Sequence, residues 1–386
     1  MKRYYFDYAG TTPTDPEVIE AMRPYFYEQF GNPSSLHYFG QTARKAVEEV
    51  RSKLASFLGA KEDEIIFTSG GTESNNFALH GVVYANEKKG NHIITSAIEH
   101  HAILEPANFF EKHGFKVTYV KVDKNGMVSL EDVEKAITDK TILISIMHAN
   151  NEIGTIQPIK EISKIAKNKE IYFHSDAVQT VGHIPINIED LGVDLLSLSA
   201  HKFYGPKGIG ALYVRKGTRI VPFLRGGGQE RHRRASTENV SGIVGLGKAI
   251  ELCKEKMDKE AQEQITLRDR IINELQSKIK NLYLNGHLAN RLPNNVNFSV
   301  EFVEGESMLL NLDMLGIAAS TGSACTSGDL EPSHVLLAIG RPHELCHGSI
   351  RFTLGRFNKN EDVDYLLEHF PKIVAKLRAM SPLYNE

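Results

Sequence analysis

The sequence predicts an α/β fold: a large unit built on a mostly parallel seven-stranded sheet, with a smaller α+β unit beside it. Short apolar runs of strand length recur at 64–68, 92–96, 116–122, 141–148, 171–174, 194–199 and 210–214. Between most of them the apolar residues fall at helical spacing, as in 74–88 and 158–168. That alternation is the signature of strand–helix–strand crossovers, which build parallel sheets.

The last of these strands breaks the pattern. The run 210–214 follows the Lys202 segment too closely for a helical crossover, so it is expected to pair antiparallel. Next comes 238–280, a long stretch with few breakers, read as a helix linking the two units. From residue 282 onward strands (295–302, 349–354) mix with helices (307–315, 361–378), an α+β pattern. In the final helix Val363, Leu366, Leu367, Phe370, Val374 and Leu377 share one face, and Pro371 is expected to kink it. These breaks assign 13–260 to the large unit, and 1–12 with 261–386 to the small one.

Composition excludes several classes of function. The 386 residues are 41% hydrophobic and 24% charged, as in a soluble globular protein with a large core. A net charge of −3 gives no basis for binding nucleic acid or an anionic membrane. No apolar run is long enough to span a bilayer, and Met1-Lys2-Arg3-Tyr4 opens without an apolar signal region. A cytoplasmic location is therefore expected. The three cysteines, Cys253, Cys325 and Cys346, form no C-x-x-C pair, which argues against a disulfide framework or a zinc knuckle.

Residues with chemical potential cluster at predicted strand ends, where parallel sheets bind ligands. Ser197-Leu198-Ser199-Ala200-His201-Lys202 ends an apolar run in a lysine, with glycines just beyond it. A partly desolvated lysine forms a Schiff base with an aldehyde cofactor; a surface lysine before a turn is the plain alternative. Thr68-Ser69-Gly70-Gly71-Thr72-Glu73 runs from strand into helix, which suits a phosphate and equally suits an ordinary cap. Asp176 ends another run; it can keep a pyridine nitrogen protonated or cap the next helix, with Gln179 in reach of a ring oxygen. His100 stands where an imidazole can stack on a planar cofactor or serve structure alone. Asn150 and Asn151 end a fourth run, where amides commonly form turns.

Two further motifs point in different directions. Cys325 lies in Ser320-Thr321-Gly322-Ser323-Ala324-Cys325-Thr326-Ser327-Gly328, a small, polar, loop-forming setting that favours a reactive thiol over a structural one. His343-Glu344-Leu345-Cys346-His347 matches a zinc-protease pattern, but Gly340, Pro342 and Gly348 bracket it and leave no room for the helix that pattern needs. No metal site is expected.

Together these segments resemble the cysteine desulfurases of the NifS/IscS type, pyridoxal 5′-phosphate (PLP) enzymes of the class V aminotransferase, fold type I architecture. The likeness runs from Asp7-Tyr8-Ala9-Gly10-Thr11-Thr12 and Gly31-Asn32-Pro33-Ser34-Ser35 to Leu354-Gly355-Arg356-Phe357-Asn358, and the Ser-x-His-Lys and Gly-Ser-Ala-Cys-Thr-Ser pair is its most specific part. It implies that Lys202 carries PLP, that Asp176 faces the pyridinium nitrogen, and that Gln179 and Asn151 approach the ring hydroxyl. It implies that His100 stacks on the ring and that Gly71, Thr72, Ser199 and His201 hold the phosphate. Thr237 would reach the phosphate of a neighbouring subunit, which implies a homodimer. Arg351 would clamp the carboxylate of L-cysteine, with Asn32 and Asn151 beside the substrate. Cys325 would take the sulfur as a persulfide and pass it on, an iron–sulfur cluster scaffold being the expected acceptor. A selenocysteine lyase or another class V enzyme is the alternative. The chain departs from the usual pattern at Tyr8-Ala9-Gly10 and at Arg231-His232-Arg233-Arg234.

Overall fold

The structure, a computed structural model, describes residues 2–321, 331–382 and 384. Among the described residues the strands are, in chain order, β1 (Tyr4–Tyr5), β2 (Ile65–Thr68), β3 (His92–Ser96), β4 (Lys116–Val120), β5 (Thr141–Ser145), β6 (Tyr172–Asp176), β7 (Leu195–Ser199), β8 (Gly210–Val214), β9 (Leu282–Leu284), β10 (Asn295–Val300), β11 (Ile317–Ala318) and β12 (Ser349–Thr353). Seven of them form the main sheet in the order β2-β8-β7-β6-β5-β3-β4. All its pairings are parallel except those of β8, which runs antiparallel to both neighbours as expected. The sheet is thus the mostly parallel one that the alternating pattern predicts.

Several boundaries shift, and the shifts matter for the site. β6 extends to Asp176, two residues past the predicted end, so that carboxylate sits on the last residue of a strand. β5 stops at Ser145, and the chain from Ile146 onward turns toward the ligand edge of the sheet. The helix predicted over 74–88 begins earlier, at Gly71, and runs to Asn86. Its first turn therefore belongs to the Gly70-Gly71-Thr72 segment itself.

The sheet is buried on both faces. One face packs Ile65, Ile144, Phe173, Leu196 and Leu198 against the helix Tyr38–Leu58 and the first half of the helix Val240–Lys278. The other packs Ile66, Ile93, Leu143 and Leu212 against Phe77, Val82, Ile103 and Phe110. A separate core lies around the antiparallel sheet β12-β10-β9 and the helices Gly305–Met314 and Asn360–Ala379. The helix Val240–Lys278 has 39 residues, and at about 1.5 Å per residue it is about 58 Å long. That length lets it bury Ile243, Leu246 and Ile250 in the first core and Leu267, Ile271 and Leu275 in the last.

Helix Asn360–Ala379 runs on through Pro371, with Leu366, Leu367, Phe370, Ile373 and Val374 buried against the same core on both sides of the proline. One expectation needs correction. The His343–His347 segment does form helix, a single turn that starts right after Pro342 and ends at Gly348. Pro342 is the N-cap of that turn, a position whose amide makes no bond within the helix, so the proline does not prevent it. Among the described residues no group of three or more His, Cys, Asp or Glu is placed to hold a metal ion.

Candidate active site

Five chain segments leave the sheet at the same edge and enclose a cavity of about 390 Å³. Gly71 and Thr72 come from the helix after β2, and His100 follows β3. Asn151 comes from the turn after β5, Asp176 and Gln179 from the end of β6, and Ser199, His201 and Lys202 from the end of β7. Arg351 enters from β12, in the other sheet, and Asp7 to Gly10 from the turn after β1.

Each group is held by local chemistry. Asp176 accepts from Asn75 Nδ2 at 2.6 Å and from the Val178 amide at 2.9 Å, so both oxygens are fixed. Lys202 Nζ donates to the carbonyls of Ala9 and Gly10 at 2.6 and 2.7 Å. His100 caps the helix His101–Lys112, its Nδ1 accepting from the Ala102 amide at 3.0 Å, which fixes the ring plane. Burial pushes the His100 imidazole below its ordinary range. Burial, with Lys202 beside it, pushes His201 down to about 4. Both rings are neutral at physiological pH.

Arg351 is only 4% exposed. Its Nη2 pairs with Asp7 Oδ1 at 2.8 Å and its Nη1 donates to the Asn151 carbonyl at 2.9 Å, while Nε is buried with no hydrogen-bond partner. Gly71 lies so close to its neighbours that a Cβ there would sit 2.6 Å from Val178 Cγ2. The missing side chain leaves a cradle at the first turn of the helix Gly71–Asn86, where backbone N–H groups and the helix dipole favour an anion.

Ten of the sequence candidates therefore share one cavity. Others do not. Thr237 is exposed and outside the lining, as is Asn32, whose Oδ1 accepts from the Ser34 amide at 2.9 Å. Cys325 lies outside the described residues. Asn75 and Asp7 were missed. Asn75 sits one helical turn past Gly71, a position readable once the helix start is known, whereas nothing local marks Asp7.

A class-V aminotransferase family model matches residues 4–366. The chain belongs to the class-V aminotransferase family. Family members that resemble it here are similar over nearly their whole length. The cysteine desulfurase IscS of Dictyoglomus turgidum is 62% identical across 100% of this chain and 98% of its own. That of Methanosarcina thermophila is 59% identical across 99% and 94%. Among solved structures, a NifS-like protein superposes with a TM-score of 0.92 at 41% identity, covering 97% of this chain and 100% of that one. SspA in complex with cysteine superposes at 0.81 with 38% identity, covering 92% and 100%. Class-V aminotransferases and NifS-like desulfurases are PLP-dependent. The cavity's donor set fits that cofactor: an anion cradle at Gly71, a carboxylate fixed at Asp176, a primary amine at Lys202 and a flat imidazole at His100.

Proposed function

We propose that this class-V enzyme is a cysteine desulfurase that takes sulfur from L-cysteine, leaving L-alanine. The observation that carries the reading is the meeting of Lys202, Asp176, His100 and Arg351 around one cavity. PLP would be held by Lys202, with Asp176 at the ring nitrogen, His100 over the ring, Gln179 and Asn151 near the ring hydroxyl, and Gly71, Thr72, Ser199 and His201 around the phosphate. When bound it supplies an electron sink for a carbanion at the substrate Cα.

The chain's own residues do the rest. Arg351 binds the substrate carboxylate through charge-assisted hydrogen bonds, and Asn151 borders the substrate. Lys202 Nζ takes the Cα proton. The Cys325 thiolate attacks the substrate sulfur and keeps it as a persulfide, the carbon–sulfur bond being the one that breaks. An iron–sulfur cluster scaffold is the proposed acceptor, in the cytoplasm. Among the described residues no helix is long and apolar enough to cross a membrane.

The large unit at 13–260 would carry the cofactor, and the small unit at 1–12 and 261–386 the sulfur-accepting loop. A homodimer is part of the reading, with Thr237 reaching across. Support comes from an exposed apolar stretch that includes Phe26, Tyr27, Leu36 and Tyr38, the last three 76% exposed or more.

The test is direct. Purified protein should be yellow and, with L-cysteine and a reductant, release alanine and sulfide in equal amounts. Cys325→Ser should keep the colour and lose sulfide release, and Lys202→Ala should lose both products. Sulfide release by Cys325→Ser at the wild-type rate would overturn the role of that thiol. Protein that stays colourless when supplied with PLP would overturn the reading of Lys202.

A further inference from the structure

We propose that Asp7 is a specificity-determining residue: its carboxylate occupies the seat on Arg351 that the substrate carboxylate must take, so binding exchanges one carboxylate for another. This rests on the reading of Arg351 as the carboxylate seat.

The geometry is that of a seat half taken. A guanidinium receives a carboxylate best along the edge made by Nε and Nη2, through two parallel hydrogen bonds. Asp7 Oδ1 engages Nη2 at 2.8 Å, and Nε is buried without a partner. Asp7 thus makes one bond where a free carboxylate can make two. Leaving a buried donor unpaired is costly, which gives an incoming carboxylate its advantage over Asp7. Among the described residues Asp7 is the only acid in ion-pair contact with Arg351. Glu152 lies nearby, but Ser333 Oγ holds it at 2.5 Å and burial pushes its carboxyl up to about 7.

The neighbouring chain makes room for this contact. A Cβ on Gly10 would lie 2.5 Å from Asp7 Oδ2 and 3.0 Å from its Cγ, so only glycine leaves Asp7 where it is. The Gly10 amide donates to the Asp7 carbonyl at 3.0 Å and closes the turn. Asp7 is also a quarter exposed, so it can swing toward the cavity it lines once displaced. The consequence is selectivity for the carboxylate. A thiol amine without one, such as cysteamine, cannot displace Asp7 and meets a neutralised arginine.

The probe is 3-mercaptopropionate, a thiol carboxylate without an amine, titrated calorimetrically into the cofactor-loaded protein. Asp7→Asn should tighten its binding about tenfold, the scale of one charge-assisted hydrogen bond removed from competition. Gly10→Ala, which keeps the charge but crowds the carboxylate off its place, should shift binding the same way. The KM for L-cysteine should fall in both variants. Arg351→Gln should abolish probe binding. If Arg351→Gln abolishes it while Asp7→Asn and Gly10→Ala bind no tighter than wild type, the role of Asp7 is overturned and the seat stands. If Arg351→Gln binds as wild type does, the reading of the seat falls, and the role of Asp7 with it.

Discussion

Glu99 stands beside His100 in sequence and is fully buried. One oxygen accepts from Ser96 Oγ at 2.5 Å and from the Met147 amide at 2.9 Å; the other has no partner. Burial pushes its carboxyl from 4.5 up to about 8, so it is neutral at pH 7. A folded-state value above the unfolded one means that its contribution to stability is present below about 4.5 and is lost as pH rises through about 8. Glu152, raised to about 7, acts in the same sense. His148 acts in the opposite sense: burial pushes it from 6.5 to about 4, so stability is lost as pH falls through that interval. Above pH 6.5 the histidine no longer offsets the acids. The melting temperature should therefore fall between pH 6.5 and 8, and Glu99→Gln should flatten that fall by about 2 kcal/mol at most. Calorimetric melts of both proteins across that interval check it; an equal fall in the two would show that Glu99 is already ionised.

At the scale of elements, the segment after the helix Gln229–His232 begins is held in an unusual backbone. Glu230, Arg231 and His232 have φ of 46, 58 and 64°, and Ser236 has 105°, all in the region that favours glycine. Each such residue costs about 1 kcal/mol or more, so the surroundings must supply the difference. Arg51, on the helix Tyr38–Leu58, grips Glu230 through two bonds of 2.9 and 2.8 Å, and the Phe67 amide of β2 donates to the same carboxylate at 3.0 Å. Arg234 pairs with Glu73 in the first turn of the helix Gly71–Asn86. Arg51 keeps Glu48 on its Nε at 3.2 Å, so Glu230→Gln should cost about 2–3 kcal/mol in urea unfolding, the scale of hydrogen bonds to a charged group. A loss below 1 kcal/mol would mean that the strained turn holds itself. None of this was legible beforehand. In the sequence Arg231 to Arg234 stand out only as a departure from the usual pattern, because an ion pair between residues 179 apart leaves no local trace. The strands were legible because each buried run must be apolar along its length, and the residues at their ends inherit a place at the ligand edge. Asp7 stayed hidden for the same reason as Glu230: its partner is 344 residues away.

For the whole molecule, the question is what keeps the lysine and the arginine of the proposed site in register, since they hang on different sheets. Lys202 follows β7 and Arg351 lies in β12. Arg356 joins the two. Its Nη1 pairs with Asp15 at 2.5 Å and its Nε with Glu260 at 2.5 Å, while its guanidinium lies 4.1 Å over the ring of Tyr204. The Arg356 amide also donates to the Tyr204 hydroxyl at 2.5 Å. Tyr204 is two residues past Lys202, and Arg356 is five past Arg351, so the clamp spans the two segments of the proposed site at short range. Arg356→Met keeps the bulk but strands Asp15 and Glu260, both of which are largely buried. That loss should destabilise the protein by several kcal/mol. It should also loosen the junction between the two cores near Lys202, while the helix Val240–Lys278 and the bonds of Asn295, Asn297 and Ser333 to Glu152 still bridge them. Calorimetry is expected to show a lower melting temperature in the variant, and kcat/KM for L-cysteine should fall as the two segments lose register. A lower melting temperature with kcat/KM intact would show that Arg356 supports stability without linking the halves of the site.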